Sequence, residues 1–234
     1  MVKESRTTKH WYTGFIKDYL LYKGRSEPKK HIYRIVDKIN EREKRKLKIL
    51  DIGSKTSPYF EKLNELGDVT TMDLTEKHNP DIVGDVHGMN KIANGEYDVV
   101  CLFMVMEHLH SPWIALRECN RILKGDGYLL ITTPQYWWVH SEPYDYYRYT
   151  DHGLEYLCRE SGFTIIDKWS MGGFWLIVFQ TIQLNFGLVS RNPIKWLLFN
   201  ILSIFFNILD KIWKNPKRDG CYDSIGWAII AQKT

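Results

Sequence analysis

The segment LKILDIGSKTSPYFEKLNELGDVTTMDL, residues 47–74, decides the fold. Lys48–Ile52 is a short apolar run ended by glycine, the pattern of a buried strand. Pro58–Leu66 has helical spacing and is closed by Gly67 as an expected C-cap. Val69–Leu74 is a second strand. Strand, helix and strand in this order form a βαβ unit, whose strands run parallel. Downstream the alternation continues. Strands are expected at Asp81–Val86, Tyr97–Met104, Gly127–Thr132, Phe163–Trp169 and Ser224–Gln232. Helices are expected at Pro112–Leu123, with proline at its start, and at Thr150–Ser161, with Thr150 or Asp151 as N-cap. Tyr97–Met104 (YDVVCLFM) is almost wholly apolar, as a strand covered on both faces must be. Upstream, residues 1–46 read as helices, and Ile32, Ile35, Val36 and Ile39 form one stripe. The fold class is α/β, a doubly wound, mostly parallel seven-stranded sheet.

The chain of 234 residues is expected to form one domain: helices over 1–46, a core over 47–170, an apolar helical insertion over 172–219 and a last strand over 223–232. With 44% apolar residues and a net charge of only +4, it is not a disordered chain. Cys101, Cys119, Cys158 and Cys221 are too scattered for a disulfide scaffold or a CxxC site, and read as reduced thiols of a cytoplasmic protein. The opening MVKESRTTKH lacks the apolar stretch of a signal peptide, and no uncharged apolar run is long enough to span a bilayer. The run REKRKLK is read as a solvated helix end rather than a nucleic-acid site, because no aromatic platform lies beside it.

An open parallel sheet binds ligands beyond the carboxyl ends of its strands, at the switch in strand order. Those ends here carry Asp51-Ile52-Gly53, Asp73, Asp85 and Met104–His108. One such aspartate alone would read as a turn or helix cap. Three at successive strand ends point to a nucleoside: a carboxylate after the second strand accepts from both ribose hydroxyls, and one after the third accepts from an adenine amino group. The loop after the first strand, GSKTSP, has one glycine and matches neither the dinucleotide fingerprint nor a P-loop. Pyrophosphate is thereby disfavoured, and S-adenosylmethionine (SAM), which has none, is the expected cofactor.

LDIGSKTSPY, TTMDL, GDVHGMN and YDVVCLFMVMEHLHSPWIALRECNRILKGDGYLLITTP together resemble the Rossmann-like class I SAM-dependent methyltransferases, and within them the type 11 small-molecule branch. Glu107-His108-Leu109, followed by the Arg121–Gly127 element, is the most specific part. The resemblance implies that Asp51, Gly53 and Ser54 face the methionine end of the cofactor. It assigns Asp73 and Leu74 to the ribose, Asp85 and Val86 to the adenine, and Phe103 and His108 to the rim beyond the fourth strand. Lys55 and Ser57 stand where the family usually has further glycines. That departure supports an alternative reading as a catalytically silent, partner-binding subunit.

Gln135–Thr150 (QYWWVHSEPYDYYRYT) holds seven aromatics after the fifth strand, beside the expected methyl donor. Rings pack on sugar faces and attract a sulfonium. His140, Pro143, Asp145, Tyr146, Arg148, Tyr149 and Thr150 make a string similar to that of a subgroup associated with bacterial surface-glycan biosynthesis. It implies O-methylation of a sugar hydroxyl on a glycan or its nucleotide- or lipid-linked precursor. The alternative acceptor is another small or lipidic molecule methylated on nitrogen or carbon. His140 is the expected catalytic base, since a hydroxyl needs a proton acceptor titrating near neutrality. Tyr136, Trp137, Asp145, Tyr146 and Arg148 are the expected acceptor-binding residues, with Asp145 placed to orient His140. No metal is expected, because Glu107, His108, His110 and Glu142 lack well-spaced ligands.

On a helix from Trp196 to Lys214, Asn200, Ser203, Asn207, Asp210, Lys211 and Lys214 fall in one stripe of about 100°, and the rest is Leu, Ile, Phe and Trp. Lys195, Lys217 and Arg218 flank it. Residues 190–218 are therefore expected to pack in a homodimer or core, or to lie on the inner face of the cytoplasmic membrane.

Overall fold

The computed structural model describes residues 26–55, 59–186, 193–212 and 223–234. The described residues form two compact units, one of His31–Met171 with Ser224–Thr234, the other including Gly172–Phe186 and Pro193–Ile212. The expected helices before residue 26, the helix start at Pro58, Ser57, Cys221 and the cations Lys214, Lys217 and Arg218 lie outside the described residues.

The sheet unit contains β1 (Leu47–Ile52), β2 (Gly67–Asp73), β3 (Ile82–Val83), β4 (Tyr97–Phe103), β5 (Leu123–Pro134), β6 (Phe163–Ser170) and β7 (Gly226–Lys233). Its strand order is β3-β2-β1-β4-β5-β7-β6. All neighbouring pairs are parallel except those of β7, which runs antiparallel between β5 and β6. The seven-stranded, mostly parallel sheet expected from the sequence is present. The chain leaves β1 outward through β2 and β3, then returns to place β4 on the other side of β1. The switch point therefore lies between β1 and β4.

Helices α1 (Ser26–Arg42), α2 (Phe60–Asn64), α3 (Pro112–Ile122) and α4 (Asp151–Glu160) accompany the strands. The stripe Ile32, Ile35, Val36 and Ile39 of α1 is wholly buried in one core with Ile49, Val99, Cys101, Leu130 and Ile230. Their alternating neighbours Leu50, Val100, Leu129 and Ile229 lie in the other core, with α3 residues Ala115, Leu116 and Cys119. The period of two thus sorts each central strand between two apolar layers. Helix α4 is capped as expected, Thr150 Oγ1 accepting from Gly153 N at 3.1 Å. Cys101, Cys119 and Cys158 are buried free thiols. The basic run ends in pairing: Arg45 reaches the buried carboxylate of Asp98 at 2.8 Å, and Lys48 meets Glu96 at 2.7 Å.

Two local expectations are corrected. The fifth strand begins at Leu123, not Gly127, because Leu123 pairs with Tyr97 ahead of an irregularity, after which the register resumes with Tyr128 opposite Val99. Gly67 does not cap a helix; it opens β2, and a Cβ there would sit 2.0 Å from the Leu47 carbonyl oxygen. Close approach of two strand backbones, not a left-handed conformation, requires glycine at this position.

The second unit contains α5 (Phe174–Phe186) and α6 (Pro193–Ile212). Phe179, Phe199 and Phe206 form its apolar centre, with Trp175, Val178 and Leu202 against them. No helix among the described residues is long and apolar enough to cross a membrane.

Gly67→Ala should destabilise the fold by about 3 kcal/mol, because the obstacle is backbone that no rotamer change can move. Urea unfolding of the variant beside the parent measures it.

Candidate active site

The switch point brings together the loop after β1 and the turn after β4. Gly53 has φ +69°, and a Cβ on it would lie 2.5 Å from a methyl of Val105. The two loops meet through that bare Cα. Asp51 and Ser54 are buried, and the Ser54 hydroxyl has no hydrogen-bond partner among the described residues. Gly53 N donates to Met72 O at 2.8 Å, and Lys55 N donates to Asp73 Oδ2 at 3.1 Å, tying this loop to the end of β2. Lys55 holds φ +48°, where a glycine would be unstrained, and its side chain is exposed. A buried orphan hydroxyl, a bare glycine backbone and an acid at the next strand end suit a nucleoside-bearing amino acid such as SAM.

The remaining residues expected at the cofactor are placed less uniformly. Leu74 is exposed and Val86 buried. Asp85 Oδ1 accepts from both the backbone N and the ring Nδ1 of His87, at 2.9 and 2.7 Å. Despite burial acting in the other direction, these bonds hold Asp85 below the usual carboxylate range. The Phe103 ring, expected at the rim, is buried and packs edge-on against Tyr59 in the α1-side core, at 5.5 Å.

The turn after β4 and the loop 135–150 are stitched into one body. Tyr146 N and Tyr147 N donate to Glu107 O, at 2.9 and 3.2 Å. The Tyr149 hydroxyl donates to Met106 O at 3.0 Å, and that of Tyr147 to His110 O at 3.2 Å. His108 Nδ1 lies 2.7 Å from Tyr144 O, which fixes its proton on Nδ1. His108, expected at the cofactor rim, thus belongs equally to the acceptor loop. At the other end, Gln135 N and Tyr136 N donate to Ile225 O, and Trp227 Nε1 donates to Gln135 Oε1 at 2.6 Å.

Within that loop Arg148 is structural. All five of its guanidinium N–H groups are engaged, by Asp145 Oδ1 and Oδ2 and by the carbonyls of Trp137, Trp138 and Tyr147. No donor is left for an acceptor phosphate or carboxylate, so its expected role as a binding residue is corrected. Asp145 is likewise enclosed, its side chain 2% exposed, and Arg148 holds it far below the ordinary carboxylate range. It does not face an acceptor. It accepts from His140 N at 2.8 Å and lies 3.2 Å from His140 Nδ1, as does Trp138 O. Both neighbours of Nδ1 are acceptors, so the proton sits there and Nε2 carries the lone pair. Trp137 and Trp138 stack at 4.2 Å, Trp137 half-buried and Trp138 exposed. Tyr136 and Tyr146 are about half exposed.

The sequence reading gives Glu107 no site role, although it heads the most specific motif and is weighed as a metal ligand. Its side chain is fully buried, Oε2 accepts from Thr133 Oγ1 at 3.3 Å, and Oε1 has no hydrogen-bond partner among the described residues. Oε1 lies 3.9 Å from His108 Nε2, and the His108 and His140 rings are 4.8 Å apart. Burial raises Glu107 to about 7 and lowers His108. Its signals in the sequence are an acid inside an apolar turn and its place in the Glu107-His108-Leu109 motif. One ligand atom from each of Glu107, His108 and His140 lies within 4.8 Å of the others, a donor set that a borderline divalent ion accepts. Of the other residues weighed as ligands in the sequence, His110 stacks on His87 at 4.1 Å, and the third donor of this group comes from the acceptor loop.

The profile of a family described as "methyltransferase domain" matches residues 24–168. The chain belongs to that family. It is a SAM-dependent methyltransferase with the Rossmann-like fold of its class. Among solved structures, a SAM-dependent methyltransferase from Archaeoglobus fulgidus aligns at TM-score 0.56 and 16% identity, covering 92% of this chain and 99% of that one. The Burkholderia thailandensis 1,6-didemethyltoxoflavin-N1-methyltransferase, solved with 1,6-didemethyltoxoflavin and S-adenosylhomocysteine, aligns at 0.53 and 16%, covering 100% and 93%. The cyclase SpnF aligns at 0.55 and 15%, covering 86% and 80%. Such identities speak for the fold alone, and the cyclase shows that this fold hosts other reactions. No curated protein matches the methyltransferase significantly by sequence.

Two outcomes follow. Gly53→Ala should weaken SAM binding at least about tenfold and destabilise the protein by about 1–3 kcal/mol, through the Val105 clash and the positive φ; calorimetric titration and urea unfolding read the two. Glu107 in the folded protein keeps a proton that the unfolded chain releases near 4.5. Its contribution therefore falls as pH rises from about 4.5 to about 7, by about 3 kcal/mol. Glu107→Gln should remove that loss, so the variant gains on the parent at pH 8 and not near pH 4.5.

Proposed function

We propose that the methyltransferase O-methylates a sugar hydroxyl of a glycan or of its nucleotide- or lipid-linked precursor. The observation that carries this reading is the Asp145–His140 pair. A charged carboxylate fixes Nδ1–H, and Nε2 is left as a proton acceptor beside the turn that follows β4. Such a base is what a neutral hydroxyl needs, whereas a more nucleophilic amine does not.

In this reading Asp51, Gly53 and Ser54 hold the methionine end of SAM, and Asp73 the ribose. Asp85 and the Val86 segment meet the adenine. SAM, when bound, supplies a methyl group already activated on a cationic sulfur. The protein's own part is positioning and proton transfer. The stacked Trp137 and Trp138 and the half-exposed Tyr136 and Tyr146 offer faces for a sugar ring. His140 Nε2 takes the hydroxyl proton as the oxygen takes the methyl, and Asp145 steadies the resulting imidazolium. Asp145 and Arg148 shape the loop rather than touch the acceptor. The reading as a silent subunit rested on Lys55 and Ser57; the exposed Lys55 side chain leaves the loop after β1 tied to Asp73 through its backbone.

His140→Ala should retain SAM affinity by calorimetry and lose about 10²–10⁴ in turnover, followed by mass spectrometry over a panel of nucleotide sugars and glycans. Unchanged turnover removes His140 from the mechanism. Turnover that chelation abolishes and a divalent ion restores would reassign His140 from base to metal ligand.

A further inference from the structure

Helix α6 is built inside out. Its side toward α5 carries the ring contacts Phe179–Phe199 and Phe179–Phe206, at 5.4 and 5.6 Å, and also its polar groups. Ser203 there is fully buried, and Asp210 Oδ1 accepts from Trp175 N, at the start of α5, at 3.2 Å. The opposite side holds Ile194, Leu197, Ile201, Phe205, Ile208 and Ile212, each between 49% and 76% exposed. At 100° per residue this side, with Leu198 and Ile204, is a stripe about 120° wide and about 27 Å long. A helix of a water-soluble domain turns such a stripe inward and its polar residues outward. Here the polarity is reversed, so the outward face requires an apolar cover.

The charges identify the cover. Lys195 and Lys211 are exposed and lie on opposite borders of the stripe. The helix's single acid, Asp210, is turned toward α5, and α5 carries no charged residue. Beyond α6 the sequence continues with Lys214, Lys217 and Arg218. An apolar stripe bordered by lysines matches acyl chains bordered by phosphates: the aliphatic stems lie along the apolar surface and the ammonium groups reach the headgroups. The helix is not long and apolar enough to cross a bilayer, and an orientation in the plane of the interface fits its one-sided stripe.

We propose that α6 is an interfacial helix that seats its outward stripe in the headgroup region of an anionic lipid bilayer. This inference stands apart from the acceptor assignment and deepens it, because a surface-bound enzyme meets lipid-linked acceptors at its own membrane.

The test is sedimentation of the full chain with vesicles of phosphatidylcholine, with and without phosphatidylglycerol. The parent is expected to bind the anionic vesicles, and less strongly at high salt. Ile201→Asp with Phe205→Asp should weaken binding at least about tenfold, since each removes a large apolar side chain from lipid. Lys195→Gln and Lys211→Gln should each cost about fivefold on anionic vesicles only. SAM affinity should stay at the parent value in all of them, showing that the sheet unit is intact. A parent that binds neither vesicle overturns the proposal, as do stripe variants that bind like the parent. A lipid-independent dimer in ultracentrifugation, dissolved by the stripe substitutions, would assign the face to a second copy and overturn it too. His140→Ala should bind vesicles normally, so failure of the catalytic reading and failure of this one are distinguishable.

Discussion

A strand with no polar face must be covered on both sides, and β4 has every residue of YDVVCLF buried. Hydrogen bonding satisfies its backbone only between β1 and β5, and its side chains need a layer of helices above and below. The crossovers that supply those layers put helix ends and loops at the carboxyl edge of the sheet. Because β1 and β4 are neighbours reached by chain paths that diverge, their following loops face one another with a gap between them. The bare Cα of Gly53 against Val105 is where that gap is closed by packing.

The same constraint explains why the acceptor loop is orderly although it has no regular structure. A loop of 16 residues rich in rings could take many conformations. This one is fastened to Glu107 and Met106 by main-chain and tyrosine hydrogen bonds, and internally by Arg148, whose five donors all find acceptors. Arg148 thereby holds Asp145 charged, and Asp145 in turn holds His140. The chemistry is carried at the end of this chain of contacts, while the conspicuous charges act as scaffold.

The buried Glu107 sits at the junction of both halves. Its carbonyl anchors the acceptor loop, and its carboxyl approaches His108, which in turn meets His140. Burial raises its carboxyl to about 7, and with the two imidazoles it forms a donor set that a divalent ion accepts. The seating of α6 in a membrane would add a separate requirement, met by a different part of the chain with its own polarity rule.

The sequence by itself determined the alternation of strands and helices, the sheet class and the strand-end acids. Period-two and period-3.6 patterns are local properties, and the loop after each strand is named by its neighbours in the chain. It also marked Gln135–Thr150 and the insertion as the two unusual stretches. It did not determine that Gly67 faces the Leu47 backbone, that Phe103 packs against Tyr59, or that Arg148 has no donor to spare. Nor did it bring His140 to Glu107 and His108, or turn the polar stripe of α6 toward α5. Those outcomes depend on which atoms meet across tens of residues. Hydrogen-bond saturation, steric contact and burial are settled only when the tertiary structure has chosen the partners.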